Sequence, residues 1–112
     1  CNFIVIATPK AEVLVKMIET CTGIDFGGLD GFLKTGERIF NLEKMFNIKA
    51  GFSNEDDTLP KRMLEEPFTE GPGKGHVVQL AKMLPEYYSV RGWNDLGVPD
   101  QSKLEELGIA SI

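Results

Sequence analysis

The chain has 112 residues, enough for one modest core, and its apolar fraction of 42% argues against disorder. Seventeen acidic against twelve basic residues leave a formal charge of −5, which excludes the basic surface that nucleic acids or anionic membranes require. No apolar run approaches the roughly 20 residues of a membrane-spanning helix, and the two cysteines, Cys1 and Cys21, make no disulfide framework, so a reducing, cytoplasmic setting is expected. The chain opens on Cys1 with neither an initiator Met nor a signal-peptide pattern, and reads as processed from, or part of, something longer.

In chain order, Asn2 to Ala7 is the one stretch that could form a strand. Thr8-Pro9 reads as a helix start, with Thr8 as cap and Pro9 in the first turn. Val13, Leu14, Met17, Ile18 and Cys21 then recur at helical spacing, and Gly23 is a stop. Cys21 at the end of that stripe is expected to be an ordinary buried thiol. Asp25 to Gly31 reads as a glycine-rich loop. A second helical pattern follows, with Phe32, Leu33, Ile39, Leu42, Met45 and Phe46 on one side and Lys34, Glu37, Glu43 and Lys44 toward solvent. Gly36 inside it suggests close packing against another backbone. The stripes before Gly23 and before Gly51 are expected to pack together in one core.

Ser53 to Pro60 is a polar loop, with Thr58 a candidate cap for a short helix through Leu64 that Pro67 ends. Glu70 to Gly75 is a turn or loop. A third helical pattern spans about Val77 to Val90, and Pro85 is expected to kink it or start a new segment. Gly92 and Gly97-Val98-Pro99 bracket a turn around Trp93, which is expected to be buried. Asp100 then caps a last short helix that Gly108 ends. The period is 3.6 almost throughout, so the expected fold is all-α: one small irregular helical domain of four to five helices covering residues 1–112.

Four patterns invite chemistry. Gly71-Pro72-Gly73-Lys74-Gly75 lacks both the spacing and the hydroxyl residue of a phosphate loop. Asp56-Asp57 reads as a solvated turn, or as an ion pair with Lys61 or Arg62, rather than a metal or acid–base pair. His76, the lone histidine, reads as a loop residue without partner ligands. Tyr87, Tyr88 and Trp93 have no basic groove beside them and read as core or interdomain packing. No nucleophile–base pair, closed metal site or cofactor fingerprint emerges, and no catalytic residue is assigned.

Gly36 to Glu43 with Phe46-Asn47 and Gly51 reads G-E-R-I-x-x-L-x-x-x-F-N-x-x-x-G, and Asp56 to Arg62 reads D-D-x-L-P-x-R. Tyr87 to Trp93 reads Y-Y-x-x-R-G-W and is followed by Gly97-Val98-Pro99, Leu104 and Leu107-Gly108. Together these segments resemble the C-terminal region of the tungsten-containing aldehyde ferredoxin oxidoreductase family. The segments occur in order along nearly the whole chain. Asn94 departs from the family's usual Asp, and Pro85 interrupts a helix usually free of proline.

The resemblance implies a parent enzyme that oxidises an aldehyde to a carboxylic acid and passes electrons to ferredoxin. It would use a tungsten (or molybdenum) bis-pterin and a 4Fe–4S cluster. Cys1 would be the fourth cluster ligand, matching the end of the family's D-x-x-G-L-C segment, and Asn2 would lie beside the pterin. The other three cysteines, in a C-x-x-C-x-x-x-C-type motif, would lie far upstream, so the remainder of the enzyme is the chief partner and the fragment alone is expected to bind neither metal nor cofactor and to be inactive. The reading from another class is a stand-alone helical interaction or structural module.

Overall fold

The computed structural model describes residues 10–109. Among them are five helices: α1 (Ala11–Thr22), α2 (Leu29–Lys49), α3 (Lys61–Glu65), α4 (Leu80–Arg91) and α5 (Gln101–Glu106). The described residues contain no sheet, only two isolated bridges, Phe68–Lys74 and Trp93–Pro99, so the all-α expectation holds. Thr8-Pro9 and the strand candidate Asn2 to Ala7 lie outside the described residues. The chain divides into two compact units between Leu42 and Glu43, inside α2.

The first unit holds α1 and the N-terminal two-thirds of α2. Gly23 ends α1 as its spacing predicts: φ is +72° and its N–H donates to the Glu19 carbonyl at 2.8 Å. The turn that follows is tied locally, with Phe26 N–H donating to Glu19 Oε1 and Gly27 N–H to Asp25 Oδ1. Phe26 then meets Phe32 edge-to-face, with centroids 5.2 Å apart. The helix starts at Leu29, inside the stretch expected to be loop. Gly31 permits this: a Cβ there would lie 1.8 Å from the Phe26 carbonyl oxygen. The close approach expected at Gly36 is therefore at Gly31 instead; around Gly36 there is open space. Cys21 corrects another expectation, being exposed rather than a core thiol. It sits on the shallow groove lined by Val13, Lys16, Met17 and Thr20.

In the second unit, Gly51 ends α2 at φ +100°, and α3 begins after Pro60 rather than at a Thr58 cap. The Phe68–His76 loop closes on itself through Phe68 N–H to the His76 carbonyl and Gly75 N–H to the Phe68 carbonyl. α4 runs continuously through Pro85; the proline removes only the one amide that would have met the Ala81 carbonyl. After α5, Ile109 N–H returns to the Leu104 carbonyl. This folds Ile109 against Leu104 and Leu107 in a small core on which Met45 packs. Leu107 is fully buried.

Candidate functional site

A polar cluster in the second unit is built on the Asp57 carboxylate. Its Oδ2 accepts from Lys44 Nζ at 2.8 Å and from the Tyr88 hydroxyl at 2.6 Å. Lys44 comes from the end of α2, Asp57 from the following loop and Tyr88 from α4. The ammonium also lies 5.1 Å from the centroid of the Trp93 ring. Tyr88 and Trp93 are both buried, and only 14% of the Lys44 side chain is exposed. Lys44 was expected to face solvent, and Asp57 to pair with Lys61 or Arg62. The polar partner instead lies thirteen residues upstream, while Arg62 reaches Glu66 on the surface at 3.5 Å.

Burial pushes the Asp57 carboxyl up, but hydrogen bonds from Lys44 and Tyr88 and the ammonium charge outweigh it and hold the carboxyl below its ordinary value. Burial, then the hydrogen bond to Asp57 and its charge, push the Tyr88 hydroxyl up to about 12. Neither group is poised near neutrality as a general acid or base must be. The cluster is a bracket that ties α2, the Asp56-Asp57 loop and α4 together.

The turn from Gly92 to Asp100 completes the bracket. Trp93 N–H donates to the Tyr88 carbonyl, Gly97 N–H to the Asn94 carbonyl, and Asp100 N–H to the Gly92 carbonyl. Asn94 Oδ1 accepts from the amides of Leu96 and Val98. An Asp carboxylate at this position would offer the same acceptor. Gly97 sits at φ +68°, and a Cβ there would lie 2.8 Å from Tyr88 Cζ and 3.2 Å from Asp57 Oδ2. Gly92, at φ +67°, faces the Lys103 side chain, whose Cε would be 2.8 Å from a Cβ. The motif residues Asp57, Tyr88, Trp93 and Gly97 are thus gathered in one cluster. Lys44 falls at an unspecified position of its motif, which is why pattern reading missed it.

The residues assigned to cofactors, Cys1 and Asn2, lie outside the described residues. Asp56 caps its own turn by accepting from Ser53 N–H, and His76 is exposed on its loop. Among the described residues, no three His, Cys, Asp or Glu side chains are grouped as a metal site would need, and no helix is long and apolar enough to cross a membrane. A 4Fe–4S cluster takes four thiolates, and these 112 residues, with two cysteines, can supply at most half of them.

Residues 1–109 match the family model described as aldehyde ferredoxin oxidoreductase, domains 2 & 3. The chain is 52% identical over 100 residues to the tungsten-containing aldehyde ferredoxin oxidoreductase of Pyrococcus horikoshii, covering 88% of this chain and 16% of the relative. It is 56% identical over 97 residues to the enzyme of the same name from Pyrococcus furiosus, covering 86% and 16%. An aliphatic sulfonate oxidoreductase, WOR-like subunit, from Pyrococcus furiosus is 27% identical over 117 residues, covering 97% of this chain and 18% of the relative. The chain therefore spans about a sixth of the length of these relatives and corresponds to part of a larger enzyme chain. It belongs to the aldehyde ferredoxin oxidoreductase family, in the region of that family's domains 2 and 3.

Proposed function

We propose that residues 1–112 are the C-terminal helical domain of an enzyme that oxidises aldehydes to carboxylic acids with ferredoxin as electron acceptor. In the balanced reaction an aldehyde and water give a carboxylic acid, two protons and two electrons, and ferredoxin takes the electrons. A tungsten (or molybdenum) bis-pterin and a 4Fe–4S cluster supply the oxygen-transfer and electron-transfer chemistry when bound. The observation that carries this reading is identity above 50% to enzymes named for that reaction over most of the chain. The sulfonate-active relative, at 27%, supports it less. An identity this high to a sixth of a longer enzyme also favours it over a stand-alone helical module.

This chain's own contributions are one cluster ligand and a scaffold. Cys1 is the proposed thiolate and Asn2 the proposed pterin neighbour. The Asp57 bracket holds the helices of the second unit in a fixed arrangement, so that the domain can help close the substrate channel. Ferredoxin and the aldehyde are the proposed partners, and the cytoplasm the proposed setting. In the full-length enzyme, Cys1→Ala should lower iron content and the cluster's visible absorption, and should abolish aldehyde-dependent ferredoxin reduction, while far-ultraviolet circular dichroism stays unchanged. A variant with full iron and undiminished ferredoxin reduction would remove Cys1 from the ligand set. Wild-type enzyme that binds its metals yet oxidises no aldehyde would remove the reaction.

A further inference from the structure

We infer that the outer face of α4, carrying Met83, Tyr87 and Val90, is a docking surface for the part of the same enzyme chain that lies outside these 112 residues. The three residues are spaced i, i+4 and i+7 and form one stripe. They are 56%, 39% and 84% exposed. At about 100° per residue, Leu80, Met83, Leu84, Tyr87, Tyr88 and Val90 together cover an arc of about 160° on α4. One packing contact needs a stripe of only about 100°. Within this unit only Tyr88 of the six is buried, while Leu80 and Leu84 line an open groove with Leu64 and Val78. A helix apolar over more of its surface than its own unit covers is a helix made to be covered from a second side.

The stripe is also held ready. Tyr87 stands edge-on to the buried Trp93, with centroids 5.8 Å apart and the planes at 87°. The Arg91 guanidinium lies 5.4 Å from the Tyr87 ring centroid, and the Tyr87 hydroxyl accepts from Arg91 Nε at 3.3 Å. A half-exposed tyrosine held against a tryptophan and an arginine has the composition of an interface anchor, and it loses little rotamer freedom on being covered. Lys82, Glu86 and Ser89 follow the stripe on one side and supply a polar edge there, while Ala81 and Pro85 lie beyond its other side.

The occupant follows from length. The chain makes up only 16% of relatives to which it is more than half identical, so most of the enzyme is tethered to this domain. A tethered segment competes at an effective concentration in the millimolar range, well above that of a second enzyme molecule. The inference rests on the proposed placement as part of a larger enzyme, and not on which substrate that enzyme oxidises.

Hydroxyl-radical footprinting of the full-length enzyme, read by mass spectrometry, tests it. Met83 and Tyr87 should oxidise at least about tenfold more slowly than in a synthetic Leu80–Arg91 peptide, because attack then requires undocking. The protection should not change on dilution. Val90→Lys should raise both rates toward the peptide value while Trp93 stays protected, showing undocking without unfolding. Rates within about threefold of the peptide in the wild-type enzyme would overturn the inference. So would protection lost on dilution, which would make a second copy the occupant, and so would unchanged protection in Val90→Lys. Aldehyde-dependent ferredoxin reduction measured on the same preparation separates the two proposals. An active enzyme with an exposed stripe defeats only the docking face, and an inactive one with a protected stripe defeats only the reaction.

Discussion

At the scale of single residues, the Asp57 carboxylate and the Tyr88 hydroxyl shift each other's titration. The carboxylate accepts two hydrogen bonds on one oxygen, from a cation and from a phenol, and the consequences have opposite signs. Tyr88, pushed up to about 12 from an ordinary value of 10.0, contributes stability that is fully present below pH 10. That contribution is lost as pH rises through about 12, because the unfolded chain releases the proton first. Asp57, held below its ordinary value of 3.8, contributes stability that is present above that value and lost as pH falls through the lower folded-state value. The tyrosinate difference signal between the enzyme and its Tyr88→Phe variant should therefore remain small at pH 10 and develop near 12. Asp57→Asn should move it back toward 10. A wild-type signal half-developed at pH 10 would mean that the Tyr88–Asp57 bond does not hold in solution.

At the scale of elements, helix positions were largely legible, because helical spacing and glycine stops are local properties. Gly23, Gly51 and Gly108 fall where the apolar periodicity runs out, and each has positive φ. What a helix packs against is not local, and there the reading failed. Ile39, Leu42 and Phe46 share an apolar stripe, yet all three are exposed; periodicity identifies the apolar face of a helix without saying what covers it. Lys44 looks like a surface lysine on the same helix, but a loop carboxylate and an indole enclose it. The glycines divide in the same way. Gly36, inside a helical pattern, suggests close packing yet faces open space, whereas a Cβ on Gly97 would meet Tyr88 and Asp57. Gly36→Ala should therefore stabilise α2 by about 0.5–1 kcal/mol, since helical backbone favours alanine and nothing stands in its way. Gly97→Ala should cost about 1–3 kcal/mol, because it combines a positive φ with contacts under 3 Å. Thermal unfolding of the two variants beside the wild type gives the signs, and a destabilised Gly36→Ala or a neutral Gly97→Ala would refute the local geometry.

At the scale of the whole molecule, the all-α class could be read from periodicity, and the Asp57 bracket could not, because its members are brought together only by folding. Trp93 is the residue where those contacts converge. It is 6% exposed, lies within 6.0 Å of Tyr87 and Tyr88 by ring centroid, faces the Lys44 ammonium and bridges to Pro99. Its removal leaves a cavity beside a charged group as well as losing apolar burial, so Trp93→Ala should cost about 3–5 kcal/mol. In a multidomain enzyme a single unfolding free energy is poorly defined, so hydrogen exchange is the better measure. A loss of about 3 kcal/mol corresponds to roughly a hundredfold faster exchange, at 1.4 kcal/mol for each factor of ten. That acceleration should appear in the α4, turn and α5 amides of the full-length variant. Trp93→Phe, which keeps an aromatic face toward Lys44, should retain most of the protection. If Trp93→Ala accelerated exchange less than about tenfold, the bracket would owe its order to the Lys44–Asp57–Tyr88 hydrogen bonds alone, and the tryptophan would be a lid on that cluster rather than its support.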